Sequence, residues 1–176
     1  MSFVNQAAVT TPGAEQPAMI IFTQLKERLF DLVSLRSTFN TKTMKNEKGE
    51  LIGEDYALTA DEKSPFEVIL KVVLSEVFEV FKKHTDGITS SYKVTTSEVT
   101  IKINDHAAYN KNDLDLVDMA LEDAIVNGCL QGWFALRAQP ELTAFTADEF
   151  KKSKELLKTR MFTLKMRRAF VTTINE

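Results

Sequence analysis

The spacing of apolar residues along the chain changes several times, and each change predicts an element. From Pro17 to about Phe39, Ile21, Leu25, Leu29, Leu32 and then Leu35 or Arg36 recur every three to four residues, which predicts an amphipathic helix with Lys26, Glu27, Arg28 and Asp31 mostly toward water. Ser64-Pro65-Phe66-Glu67 reads as a second helix start. Ser64 can accept from the Glu67 amide, Glu67 can reach back, and Pro65 falls where a missing N–H costs nothing. This helix should run to about Lys83, with only a narrow polar stripe through Glu67, Lys71, Ser75, Glu79 and Lys82. A helix apolar on most of its circumference is buried on most sides, as a core helix or one that also faces another subunit. The period then switches to two: Ile88, Ser90, Tyr92 and Val94, then Val99, Ile101 and Ile103, predict a β-hairpin over 88–104 turning at Thr96-Ser97-Glu98. Two strands are marginal alone, so this ribbon should lie on the helices or pair with a further strand.

Asn112 or Asp113 caps a third helix to about Gln139, where Pro140 stops it, and Thr146-Ala147-Asp148-Glu149 starts the last helix, to about Phe170. The expected fold is mainly α, about four helices with an inserted β-hairpin and a C-terminal antiparallel helix pair, forming one domain over 18–176. Residues 1–17, with Pro12, Gly13 and Pro17, carry no period and should form an extended arm unless something holds it. Residues 40–63 form a polar excursion with a turn at Asn46-Glu47-Lys48-Gly49 between short extended pieces around Met44 and Leu51. Its glycines lack the spacing of a phosphate-binding loop.

Within the third helix Ala120, Ala124, Gly128 and Gly132 recur every four residues. A glycine inside a helix costs roughly 1 kcal/mol relative to alanine, so a close helix–helix approach is the compensation to expect. These four are the candidate packing residues.

Composition narrows the chemistry. The chain has 176 residues, 44% hydrophobic and 27% charged, with a net charge of −3, which fits one globular domain and not a uniformly basic nucleic-acid coat. The single cysteine, Cys129, excludes a disulfide framework and a cysteine-rich zinc module. Asp113, Asp115, Asp118, Glu122 and Asp123 lack calcium-loop spacing, and a helix start accounts for the first three. His84 and His106 sit in no nucleophile motif, and Cys129 lies in an apolar helix as a packed side chain. No catalytic, metal-binding or cofactor-binding residues are therefore assigned. The start Met1–Gln6 has no positive leader and no window is apolar enough to span a membrane, so a product made and kept in the cytoplasm is expected.

Charge is unevenly placed. Between Lys151 and Arg168 stand eight basic residues against Glu155, a local charge of +7, which leaves −10 on the rest of the chain. The candidate interface comprises Lys151, Lys154, Lys158, Lys165, Arg167, Arg168 and Phe170, facing either phosphates or an acidic protein surface. A basic-helix nucleic-acid-binding protein is one reading of this helix.

The block Ala120-Leu121-Glu122-Asp123-Ala124-Ile125-Val126-Asn127, continuing through Leu130-Gln131-Gly132-Trp133-Phe134 to Pro140 and then Ala147-Asp148-Glu149-Phe150-Lys151, resembles the head-to-tail connector or adaptor proteins of the tailed-bacteriophage neck. The resemblance covers roughly residues 113–165 and is one of pattern. It implies a virion structural protein, not an enzyme: a subunit in a ring of identical copies, docked between portal and tail proteins, with DNA passing through the lumen.

Overall fold

Four α-helices and a four-stranded antiparallel sheet make this a mainly α chain. The computed structural model describes residues 3–7, 18–52, 56–84, 90–105 and 111–174. The elements are β1 (Phe3–Ala7), β2 (Ala18–Leu25), α1 (Lys26–Thr43), α2 (Lys63–His84), β3 (Ser90–Val94), β4 (Glu98–Asp105), α3 (Lys111–Leu136) and α4 (Pro140–Ile174). In the sheet the strand order is β1-β2-β4-β3.

The hairpin forms as expected, and it does not stay two-stranded: β4 also pairs with β2, from Ala18↔Asp105 to Leu25↔Glu98. This corrects the first predicted helix, whose opening residues are a strand. The spacing of Ile21 and Leu25 suits a helix, but the buried set is Ile20, Phe22 and Gln24, which alternates. Phe22 meets Phe81 of α2 with ring centroids 5.9 Å apart, and both backbone edges of β2 are paired. Those tertiary contacts outweigh a short helical period. The helix begins at Lys26, whose N–H donates to the Ser97 carbonyl at 2.9 Å.

The arm also differs from expectation in part. Phe3–Ala7 pairs with β2 of its own chain, from Phe3↔Thr23 to Ala7↔Met19, so no neighbouring chain is needed to order it; residues 8–17 lie outside the described residues. In the excursion, Lys45 and Leu51 form an isolated bridge around the expected turn. The Asn46 side-chain oxygen accepts from the amides of Lys48 and Glu50, and Gly49 takes the left-handed φ of +80° that this closure requires.

Two predicted helix starts move. A 3-10 turn, Ala60–Glu62, precedes α2, and Thr59 donates from both its N–H and its hydroxyl to the Glu62 carboxylate, at 2.8 and 2.9 Å. Ser64 is already inside the helix, and Glu67 turns instead to Lys26. Likewise α4 starts at Pro140, a proline in the first turn where no amide partner is lost. Thr146 is interior, its hydroxyl donating to the Leu142 carbonyl at 2.6 Å. Only residues 137–139 connect α3 to α4, with Ala138 at φ +52° and the Gln139 amide bonded to the Phe134 carbonyl.

One core joins these parts. Ile20, Phe22, Ile101 and Ile103 of the sheet share this core with Leu74, Val77 and Phe81 of α2, and α3 contributes Leu121, Ile125, Trp133 and Phe134. Trp133 is fully buried, and its indole N–H donates to the Tyr56 carbonyl at 2.8 Å.

Candidate interaction surface

The small-residue stripe of α3 lies at the centre of the helix packing. Ala120 and Ala124 are buried. A Cβ on Gly128 would stand 2.6 Å from Val73 Cγ1 and 2.9 Å from the Phe150 ring, and one on Gly132 would stand 2.6 Å from Ile69 Cγ2. The glycines therefore admit α2 on one side and α4 on the other. With Phe150, Leu157 and Met161 buried against this layer, α4 has an inner side and an outer side.

Three acidic residues of α3 turn to the chain's own partners. Asp118, buried, accepts from Gln24 Nε2 at 2.8 Å. Arg28 grips Glu122 with two bonds, Nε–Oε2 at 2.7 Å and Nη2–Oε1 at 2.9 Å, and the guanidinium's own pKa is raised by that bond. Arg36 reaches Asp123 at 2.7 Å and Asn127 at 3.1 Å, and Asn127 donates on to Ser153 of α4 at 2.7 Å. A polar seam thus runs from β2 and α1 across α3 to α4. Among the described residues no group of three or more His, Cys, Asp or Glu side chains is placed to hold a metal ion.

The lysines of α4 are arranged differently. Lys152 pairs with Glu149 at 2.7 Å and Lys158 with Glu155 at 3.4 Å, both within one turn of their own helix and exposed. Lys154 crosses to Glu76 of α2 at 3.0 Å while its ammonium sits 4.0 Å from the Phe150 ring centroid. Of the expected interface, Lys154 is thus part of the fold, and Lys151 and Lys158 stand outward. Lys165, Arg167, Arg168 and Phe170 belong to the last turns of α4, and their side chains lie outside the described residues, as does His106.

Hydrophobicity alone did not reveal which apolar residues would remain uncovered. Leu35 and Phe39 on α1 are 68% and 64% exposed, Val68 and Val72 on α2 are 64% and 59%, and Phe162 on α4 is 54%. The first two pairs are each spaced four apart, so each forms a patch on one helix face. Leu35, expected on a packed stripe, points to water instead.

A cleft of about 420 Å³ opens where the starts of α1 and α2 meet the β3–β4 turn. Its floor is the edge-to-face pair Phe30–Phe66, 5.2 Å between centroids, and its walls include Lys63 and Ser97. Lys26, nearly buried, is bound to Glu67 at 2.6 Å, and that ammonium holds the Glu67 carboxyl below the usual carboxylate range. Both members of this ion pair line the cleft. Three separated segments build it, so no local motif announced it. Cys129 is fully buried, and burial pushes its thiol pKa up, which keeps it protonated at neutral pH.

No helix among the described residues is long and apolar enough to cross a membrane. Compared with known protein families, curated proteins and solved structures, the chain matches none.

Proposed function

We propose that this protein is a structural subunit of a homo-oligomeric ring, a head-to-tail connector or adaptor at the neck of a tailed-bacteriophage virion, docking between portal and tail proteins. The observation that carries the reading is the uncovered outer surface: apolar pairs on α1 and α2 together with Phe162 and the outward lysines of α4. Large apolar side chains grouped on exposed helix faces mark surfaces that another protein covers. The interior supports the same role. The glycine-mediated packing of α2, α3 and α4 and the Arg28, Arg36 and Gln24 seam make a stiff block suited to bearing load between neighbours.

The same lysines support a second reading, a basic-helix nucleic-acid-binding protein. Lys152, Lys154 and Lys158 already face carboxylates of their own chain, which weakens their claim on phosphates. Sedimentation velocity and negative-stain imaging of the full chain without DNA test the choice. Closed oligomers are expected. A strict monomer that binds duplex DNA tightly, with an affinity falling steeply as salt rises, would replace the ring with the nucleic-acid reading.

A further inference from the structure

The cleft at the starts of α1 and α2 is built by one short pattern used twice, with the sign of the charge reversed. On α1, Glu27 is followed three residues later by Phe30; on α2, Lys63 is followed three residues later by Phe66. Residues three apart share a helix face, so each helix sets one charge and one ring on the side that lines the cleft. The rings are buried and meet edge to face, whereas Glu27 and Lys63 are exposed, which puts the aromatic pair at the floor and one charge of each sign at the rim. Lys63 leans over the floor, its ammonium 5.7 Å from the Phe30 ring centroid. Leu25, 38% exposed, adds an apolar side chain to the wall.

The four charged groups of the cleft divide into a satisfied pair and an unsatisfied one. Lys26 and Glu67 bind each other. Among the described residues neither Glu27 nor Lys63 has an ion-pair partner, and although both line the cleft they do not meet. Lys26 uses two of its three N–H donors, on Glu67 at 2.6 Å and on the Thr95 carbonyl at 3.4 Å, which leaves one. A purely anionic ligand would meet Glu27 unfavourably, and a purely cationic one Lys63. A molecule carrying both charges beside an apolar body meets neither conflict. At about 420 Å³ the cleft lies near the lower end of ligand sites, roughly 300–1,000 Å³, which suits a small molecule.

We propose that this cleft binds a free α-amino acid with a large apolar side chain. Its carboxylate meets Lys63 and the remaining donor of Lys26, its ammonium meets Glu27, and its side chain lies over Phe30 against Leu25. Such binding goes beyond the ring-subunit reading and does not depend on how copies of the chain assemble.

Three probes separate the chemistry. L-Phenylalanine carries both charges; N-acetyl-L-phenylalanine keeps only the carboxylate, as the last residue of a chain does; L-phenylalaninamide keeps only the ammonium, as the first residue does. Ligand-detected NMR titration of the full chain at about pH 6, where these amines are protonated, should show saturable binding of phenylalanine at about millimolar concentration. Each analogue should bind roughly threefold more weakly or worse. Glu27→Gln should remove the preference for phenylalanine over the N-acetyl compound and keep the preference over the amide. Lys63→Gln should narrow the preference over the amide and keep the other. The preference that each variant retains shows that its cleft is still formed.

Phenylalanine that fails to bind the wild type, three probes that bind alike, or variants that leave both preferences intact would overturn the site. Tighter binding of the N-acetyl compound or of the amide than of phenylalanine would overturn the free amino acid in favour of the C-terminal or N-terminal residue of a chain.

Discussion

Helices α3 and α4 are joined by three residues and packed along their length, yet they use charge in opposite ways. Three acids of α3 reach other elements: Asp118 to β2, Glu122 and Asp123 to α1. Of the α4 lysines whose side chains are described, all but Lys154 stay within their own helix or face outward. Charges that bridge distant segments contribute to choosing the fold, because a wrong packing leaves them unpaired. Charges within one turn hold almost nothing together. The difference separates the part of the molecule that specifies structure from the part free to meet a partner.

The sharpest way to break this contrast is from inside the α3 layer. Gly128→Leu should overpack Val73 and Phe150 together and destabilise the protein by about 3 kcal/mol, the upper end for overpacking, seen as a lowered midpoint in urea unfolding. An unchanged midpoint would mean that α2 and α4 do not close on this stripe. Next, Asp118→Ala removes the acceptor for Gln24 in a buried setting and should cost about 2 kcal/mol in the same measurement.

A finer comparison sets the two kinds of ion pair side by side. A double-mutant cycle on Arg28 and Glu122 should give a coupling of about 1 kcal/mol, because the contact is bidentate and partly shielded. The same cycle on Lys158 and Glu155 should give about 0.3 kcal/mol. Equal couplings would erase the distinction drawn here.

The smallest effect concerns pH. Glu67 is held below its ordinary pKa of 4.5 by Lys26, so its contribution to stability is complete above that value and lost as pH falls through the lower folded value. With the carboxylate half exposed, the loss is modest. Urea midpoints should therefore decline more steeply below about pH 4.5 in the wild type than in Glu67→Gln, and parallel curves would show that the pair does not hold the cleft.

Local chemistry made much of the fold legible in the sequence. The Asn46–Gly49 turn is written in one side-chain acceptor and one glycine, and the β3–β4 hairpin in strict alternation. Gly128 and Gly132 were readable because glycine in a helix demands a compensating neighbour. Residues 18–25 were not, since eight residues hold both a helical and an alternating pattern, and the deciding partner, β4, lies far along the chain. The outer surface was hidden for another reason. Apolarity at Leu35, Phe39, Val68 and Val72 is plain, but which angle of a helix stays bare depends on how its neighbours are arranged around it.

The pairing of Ala18 with Asp105 also has a bearing on how the chain is made. Helices assemble from nearby residues, whereas β2 must await a partner synthesised long after it. During translation Ile20 and Phe22 emerge about 80 residues before Ile101 and Ile103 exist to cover them, so for nearly half of its synthesis the nascent chain carries a sticky β-segment that can pair only with β1. Closure of the sheet is then the slow step of folding, and the interval before it is when aggregation or chaperone capture competes with the native state.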